Sequence, residues 1–134
     1  MRIDGGCHCG NITYEAEVDP NRVGICHCTD CQTLSGSAFR TVVQARKEAF
    51  TLRGTPKIYV KTAEIGNKRA QAFCPECGTP LYATSATDPQ LFGIRVGTAR
   101  QRAVLRPKRQ IWCRSAQDWV TDLGSIPKFP KQPG

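Results

Sequence analysis

Seven of the eight cysteines stand in three tight groups: C-x-C at Cys7 and Cys9, C-x-C-x-x-C at Cys26, Cys28 and Cys31, and C-x-x-C at Cys74 and Cys77. A disulfide framework spreads its cysteines to close loops, whereas clustered short spacings read as metal sites. In an extended C-x-C the outer residues point one way and the middle residue the other. Cys7 and Cys9 can therefore grip one ion with His8 turned away, and Cys26 and Cys28 can do the same around His27. In Cys74-Pro75-Glu76-Cys77-Gly78, Pro75 stiffens the turn and Gly78 lets backbone N–H groups approach the sulfurs.

Seven ligands divide naturally into four and three. Cys7, Cys9, Cys74 and Cys77 would make a closed tetrahedral set that ties the N-terminus to the middle of the chain. Cys26, Cys28 and Cys31 would make a three-thiolate site with one coordination position open, the arrangement zinc adopts when it does chemistry. Two Zn²⁺ ions per chain are expected. Spacing alone leaves a second division open, with Cys26 and Cys28 joining Cys74 and Cys77. Cys113, in "IWCRS", reads as a small buried apolar residue.

The rest of the chain predicts a single mainly-β domain over residues 1–124, with a Pro/Lys-rich tail over 125–134. Aromatics make up only 7%, while 12 glycines and 9 prolines punctuate the sequence. That balance favours strands and turns over a helical bundle. "ITYEAEV" alternates cleanly, with Ile12, Tyr14, Ala16 and Val18 on one side, so it predicts a half-buried strand. Further strands are expected over Ala38–Val43, Ala49–Leu52, Lys57–Val60, Arg69–Phe73, Leu81–Thr84, Leu91–Val96 and Gln110–Arg114. Short strands at this spacing predict packed antiparallel sheets, with zinc stapling the strand ends. A short helix is expected after Cys28, capped by Thr29 or Asp30 and ended by Gly36, with a second helical turn in Ser115–Val120. Cys31 would lie in the first turn of that helix, where the N-terminal dipole favours a thiolate.

The formal charge is +8. Seven thiolates on two zinc ions would bring it to about +5, so the raw figure is no argument for nucleic acid. The N-terminal residues carry no apolar run, and no stretch approaches the ~20 apolar residues of a membrane span. A cytoplasmic protein without membrane contact, whose thiols stay reduced, is the expectation.

Three segments, "GGCHCGNITYEAEV", "CHCTDCQTLSGSAF" and "FCPECGTPLYA", carry a resemblance. With the closing "GSIPKFPKQP" after an "IW…W" segment, the chain resembles the glutathione-dependent formaldehyde-activating (GFA) family, which also includes centromere protein V. The resemblance implies a β-tent-like fold and a structural zinc on Cys7, Cys9, Cys74 and Cys77. It also implies a second zinc on Cys26, Cys28 and Cys31, and carbon–sulfur lyase chemistry between glutathione and formaldehyde. The chain departs from many relatives in "GTARQRAVLRPKRQIW", where Gln110 stands at a His position and Arg95, Arg100, Arg102, Arg106, Lys108 and Arg109 form a run without an acid.

The function expected is therefore a zinc-dependent lyase-type enzyme on a small, glutathione-like thiol adduct such as S-hydroxymethylglutathione. The open zinc on Cys26, Cys28 and Cys31 would hold the sulfur. Ser35, Gly36 and Ser37 would supply hydrogen-bond donors, and Arg95 would receive a substrate carboxylate. The rival is a non-catalytic zinc-stabilised module that binds nucleic acid or protein through the basic run. Little aromatic interleaving among those arginines weighs against single-strand recognition.

Overall fold

The computed structural model describes residues 1–133. Among the described residues, nine strands and one α-helix follow in chain order: β1 (Arg2–Gly6), β2 (Thr13–Val18), β3 (Gly24–Cys26), α1 (Thr29–Ser35), β4 (Arg40–Arg53), β5 (Lys57–Thr62), β6 (Lys68–Phe73), β7 (Pro80–Ser85), β8 (Leu91–Arg95) and β9 (Arg109–Ile111). They join in one mainly antiparallel sheet of order β1-β2-β4-β8-β7-β6-β5. β3 pairs with the start of β4 and, in parallel, with β9. Among the described residues, no helix is long and apolar enough to cross a membrane.

The expected mainly-β domain is what forms, and β4 explains how one sheet encloses a core. Along one edge, β4 pairs first with β3 through Arg40–Val42 and then with β2 through Ala45–Arg53. Along the other edge it pairs with β8 only through Val42–Arg46. Its second half therefore belongs to a leaf with β1 and β2, which folds back over β6–β8. Phe50 marks the fold-over, with its ring 5.4 Å from Tyr82 and 5.1 Å from Phe92. Side-chain alternation sends Ile3, Tyr14, Ala16, Val43, Ala45 and Ile94 into the main core. A second cluster gathers Ile12, Ala72, Leu81 and Tyr82 around the buried Cys7 and Cys74.

Several local expectations are corrected. The strands expected over Ala38–Val43 and Ala49–Leu52 are one strand, which begins at Arg40 rather than Ala38; the "QARKE" between them stays extended because β2 and β8 hold its two edges. β1 has a single large apolar residue and two glycines, so it carries no strand pattern, yet β2 recruits it by pairing Ile3 with Ala16. The strand expected over Gln110–Arg114 stops at Ile111, because Trp112 takes a left-handed conformation (φ 57°). Ser115 ends a 3-10 turn over Cys113–Ser115, residues 116–120 form no helix, and residues 125–133 hold no strand or helix. The cap of α1 is neither Thr29 nor Asp30 but Cys28, whose sulfur accepts the Cys31 N–H. A thiolate can fill the role of a capping oxygen. Gly36 ends the helix as expected, in the left-handed conformation at φ 65°.

Candidate functional site

All eight cysteines are free thiols. Two groups of sulfurs converge, one from Cys7, Cys9, Cys74 and Cys77, the other from Cys26, Cys28 and Cys31; within each group the sulfurs lie within 4.8 Å of one another. The alternative division, with Cys26 and Cys28 beside Cys74 and Cys77, is not the one the fold makes. A tetrahedral zinc with bonds of about 2.3 Å places its sulfurs about 3.8 Å apart. The Cys7 and Cys9 sulfurs are 3.6 Å apart, and those of Cys9 and Cys74 are 3.8 Å apart. The donor set and its spacing therefore fit zinc.

The four-cysteine group sits where the fold can support it. β1 delivers Cys7 directly after its last residue, and the turn between β6 and β7 delivers Cys74 and Cys77. The Ile12 N–H donates to Cys7 Sγ at 3.2 Å. Thr79 Oγ1 lies 3.2 Å from Cys77 Sγ and accepts the His8 N–H at 3.1 Å. The Thr79 hydroxyl, with backbone N–H groups of Thr79 and Cys9, draws the Cys77 thiol down to about 5. Cys9 goes the other way: the Asn11 N–H favours its thiolate, but desolvation and the thiols of Cys7, Cys77 and Cys74 together push it up to about 12. A divalent cation bound here would hold all four as thiolates.

The three-cysteine group is built on a strand-to-helix passage. β3 places Cys26, Cys28 caps α1 with its Sγ 3.3 Å from the Cys31 nitrogen, and Cys31 lies in the first helical turn. The Cys31 thiol, hydrogen-bonded to Cys26 and desolvated, keeps its proton above the ordinary range. That same contact lowers Cys26, against its own burial. Gln32 locks the helix in place, donating through Nε2 to the carbonyls of His27 (2.8 Å) and Ser115 (2.9 Å), while its Oε1 accepts from Gln117 (2.8 Å).

The two groups differ in what lies beside them. Cys26, Cys28 and Cys31 open onto a cavity of about 330 Å³, walled by β3, α1 and the β5–β6 connection and floored by the sheet. That volume suits a small-molecule ligand. Alternation makes the floor. On β4, Val43 and Ala45 enter the core, so Arg40, Val42 and Gln44 face the cavity. Across the sheet, Gln44 is paired with Gly93, Gly93 with Ala83, and Ala83 with Gln71. Two small residues in the middle of that row leave the space: a side chain at Gly93 would begin 3.0 Å from Val42 Cγ1.

Each residue singled out from the sequence has a clear place. Arg95 faces the cavity, but Ser35, Gly36 and Ser37 do not line it. Ser35 Oγ bonds the Gln32 carbonyl and Gly36 and Ser37 close the C-terminal end of α1, with the Ser37 N–H donating to Ser35 Oγ. His8 is exposed, and neither histidine belongs to a cysteine group. His27 is buried, with Nε2 2.7 Å from Gln110 Oε1 and its ring edge-on to Phe39. Cys113, expected in the core, is exposed, because the chain turns at Trp112 into a 3-10 turn instead of continuing the strand. The basic run is broken up: Arg95 and Arg109 line the cavity, Arg100 pairs with Asp4 at 3.7 Å, and Arg102 Nε donates to the Gly97 carbonyl. Sequence reading missed Arg40 and Gln71. The signal available was a polar residue in phase with the face that alternation keeps out of the core.

The family model of the glutathione-dependent formaldehyde-activating enzyme matches residues 2–115, which hold all seven clustered cysteines. The chain belongs to the GFA family. A solved crystal structure of a Rhodobacter sphaeroides protein resembles this GFA chain with a TM-score of 0.60 at 19% identity, covering 80% of this chain and 98% of that one. At that identity the likeness speaks for the fold. In this GFA member the family's match therefore spans both sulfur groups and most of the cavity wall.

Proposed function

We propose that this GFA chain is a carbon–sulfur lyase-type enzyme that joins a small thiol such as glutathione to formaldehyde, or splits S-hydroxymethylglutathione. One observation carries the reading: three sulfurs converge at the wall of a cavity sized for a small ligand, whereas the other four converge as a group with enough donors to close a zinc site. Cys7, Cys9, Cys74 and Cys77 would hold a structural zinc. Cys26, Cys28 and Cys31 would hold a second, which when bound supplies a Lewis acid that favours the deprotonated form of an incoming thiol.

The chain's own residues supply the rest. The reaction is an addition in which the thiol sulfur bonds to the carbonyl carbon and the carbonyl oxygen gains a proton; no redox partner is needed. β3 and α1 fix the three sulfurs on rigid elements, and the cavity brings the two reactants into one small volume. That converts an encounter in solution into a reaction between held partners. The broken basic run offers no continuous stripe, so the binding-module reading has no observation in its favour.

The test is formaldehyde consumption with and without glutathione, measured above the spontaneous reaction. Glutathione-dependent turnover is expected from the zinc-loaded protein and is expected to disappear in Cys28→Ala. Rates at the spontaneous background, or full activity in a folded Cys28→Ala variant, would overturn the assignment.

A further inference from the structure

The cavity floor contains a charge that the protein does not answer. Arg40 is 6% exposed and Gln71 9%; Arg95 lies on β8, the strand next to that of Arg40 and two away from that of Gln71. Both guanidiniums donate to the same neutral oxygen, Gln71 Oε1, from Arg40 Nη1 at 3.2 Å and from Arg95 Nη2 at 2.8 Å. Arg40 Nε, Arg40 Nη2 and Arg95 Nε have no partner among the described residues. No carboxylate among the described residues makes an ion pair with either arginine; the two acids at the cavity rim are engaged elsewhere, Asp30 with Lys61 at 2.8 Å and Glu64 with Arg114 at 2.9 Å. Burial and the neighbouring Arg40 draw Arg95 down to about 9, against the pull of the Cys31 and Cys26 thiols, so it remains charged near neutrality.

Two like charges, one buried and one half-buried, sharing one amide oxygen are costly unless an anion joins them. The cysteine group beside them answers only part of this. Before a thiol binds, three thiolates around a divalent ion would carry a net charge of −1 against two guanidiniums, leaving one positive charge over. Guanidinium is also the side chain whose planar fork matches a carboxylate or similar oxyanion.

We propose that Arg40 and Arg95, bridged by Gln71, form an anion receptor in the cavity floor, so that the thiols this site accepts carry an oxyanion group such as a carboxylate. The proposal rests on reading the cavity as the thiol site and adds to it a charge requirement on the substrate. The receptor spans the row β4-β8-β7-β6 of one sheet, with Arg40 on β4, Arg95 on β8 and Gln71 on β6, and it shares the cavity with the three sulfurs. A ligand can therefore place its anion on the floor and its sulfur at the wall. Neutral thiols of the same size lose the first contact.

The test uses three small probes on the zinc-loaded protein, titrated calorimetrically at low salt: 3-mercaptopropionate, the neutral 2-mercaptoethanol, and propionate. We expect 3-mercaptopropionate to bind at least about tenfold more tightly than 2-mercaptoethanol, as a charge-assisted contact implies. The preference is expected to vanish in Arg95→Gln, to return in part in Arg95→Lys, and to be untouched in Arg106→Gln, which lies outside the cavity. Equal binding of the two thiols by the wild-type protein would overturn the receptor while leaving the thiol site standing. So would a preference that survives in Arg95→Gln. Propionate binding as tightly as 3-mercaptopropionate would do the reverse, keeping the receptor and removing the thiol reading. The wild-type comparison needs no variant and stays decisive if a buried substitution fails to fold.

Discussion

Cys74 is fully buried while Cys77, three residues further on, is exposed, and both point at the same small volume as Cys7 and Cys9. A metal there would be half inside the second hydrophobic cluster, so losing a ligand removes packing as well as coordination. Cys26, Cys28 and Cys31 lie at a cavity wall, and none of them belongs to a hydrophobic cluster. The two groups should therefore fail differently. Cys74→Ser is expected to bind one zinc per chain instead of two and to lose several kcal/mol of stability, on the scale of a structural zinc site. Cys28→Ala is expected to lose one zinc as well, at a cost of no more than about 1–2 kcal/mol, roughly that of a lost helix cap. Metal analysis and urea denaturation of the two variants check this; equal destabilisation would contradict the division of roles.

Strand β1 is held by the close approach of its backbone as well as by the buried Ile3. Gly5 pairs with Tyr14 on one side and bridges to Ala99 on the other. A Cβ built on Gly5 would stand 2.1 Å from the Thr98 carbonyl oxygen, a backbone atom that cannot swing aside. Gly5→Ala should therefore push β1 off the strand end that positions Cys7, costing about 2–3 kcal/mol as overpacking does. Gly97→Ala is the control, since nothing lies within 4 Å of its added carbon; it should change stability by no more than about 0.5 kcal/mol. Urea midpoints for the pair decide it, and the idea fails if Gly5→Ala is as stable as Gly97→Ala. The same element logic governs the cavity, where Gly93 and Ala83 keep the middle of the floor clear.

Across the whole molecule, the four-cysteine group joins two parts of the sheet that are far apart both in the chain and in strand order. Cys9 and Cys74 are separated by 65 positions, and β1 and β6 lie at opposite sides of the β4 fold-over. Closing so long a loop is entropically costly to the unfolded chain, which makes the staple effective. A strong chelator is expected to lower the melting temperature. It is also expected to release amide protection in β1 and in the β6–β7 hairpin together, ahead of the β4–β8 pairing. Hydrogen exchange with and without chelator measures this; loss of protection in β4–β8 first would show that the staple is not what joins the two leaves.

Much of the candidate site was legible in the chain because coordination chemistry is local. The spacings of C-x-C and C-x-x-C set ligand direction within three or four residues, and the short helix after Cys28 follows from its flanking Gly36. The alternation Ile12, Tyr14, Ala16 and Val18 likewise declared a buried face, and all four are buried. What depended on register was not legible. Arg40, Gln71 and Arg95 come from three separate strands, and only the pairing across β4, β8, β7 and β6 brings them to one floor. The basic run looked continuous as text, yet turns after β8 scatter it, and Cys113 left the core because of a single left-handed residue before it. The sequence by itself determined which cysteines stand as local ligand pairs, since that is fixed by a few bonds, while the meeting of Cys7 and Cys9 with Cys74 and Cys77 across 65 positions was left to the fold. Only the tertiary structure decided which group faces a cavity and what charge waits there, because those depend on contacts between strands the chain does not place side by side.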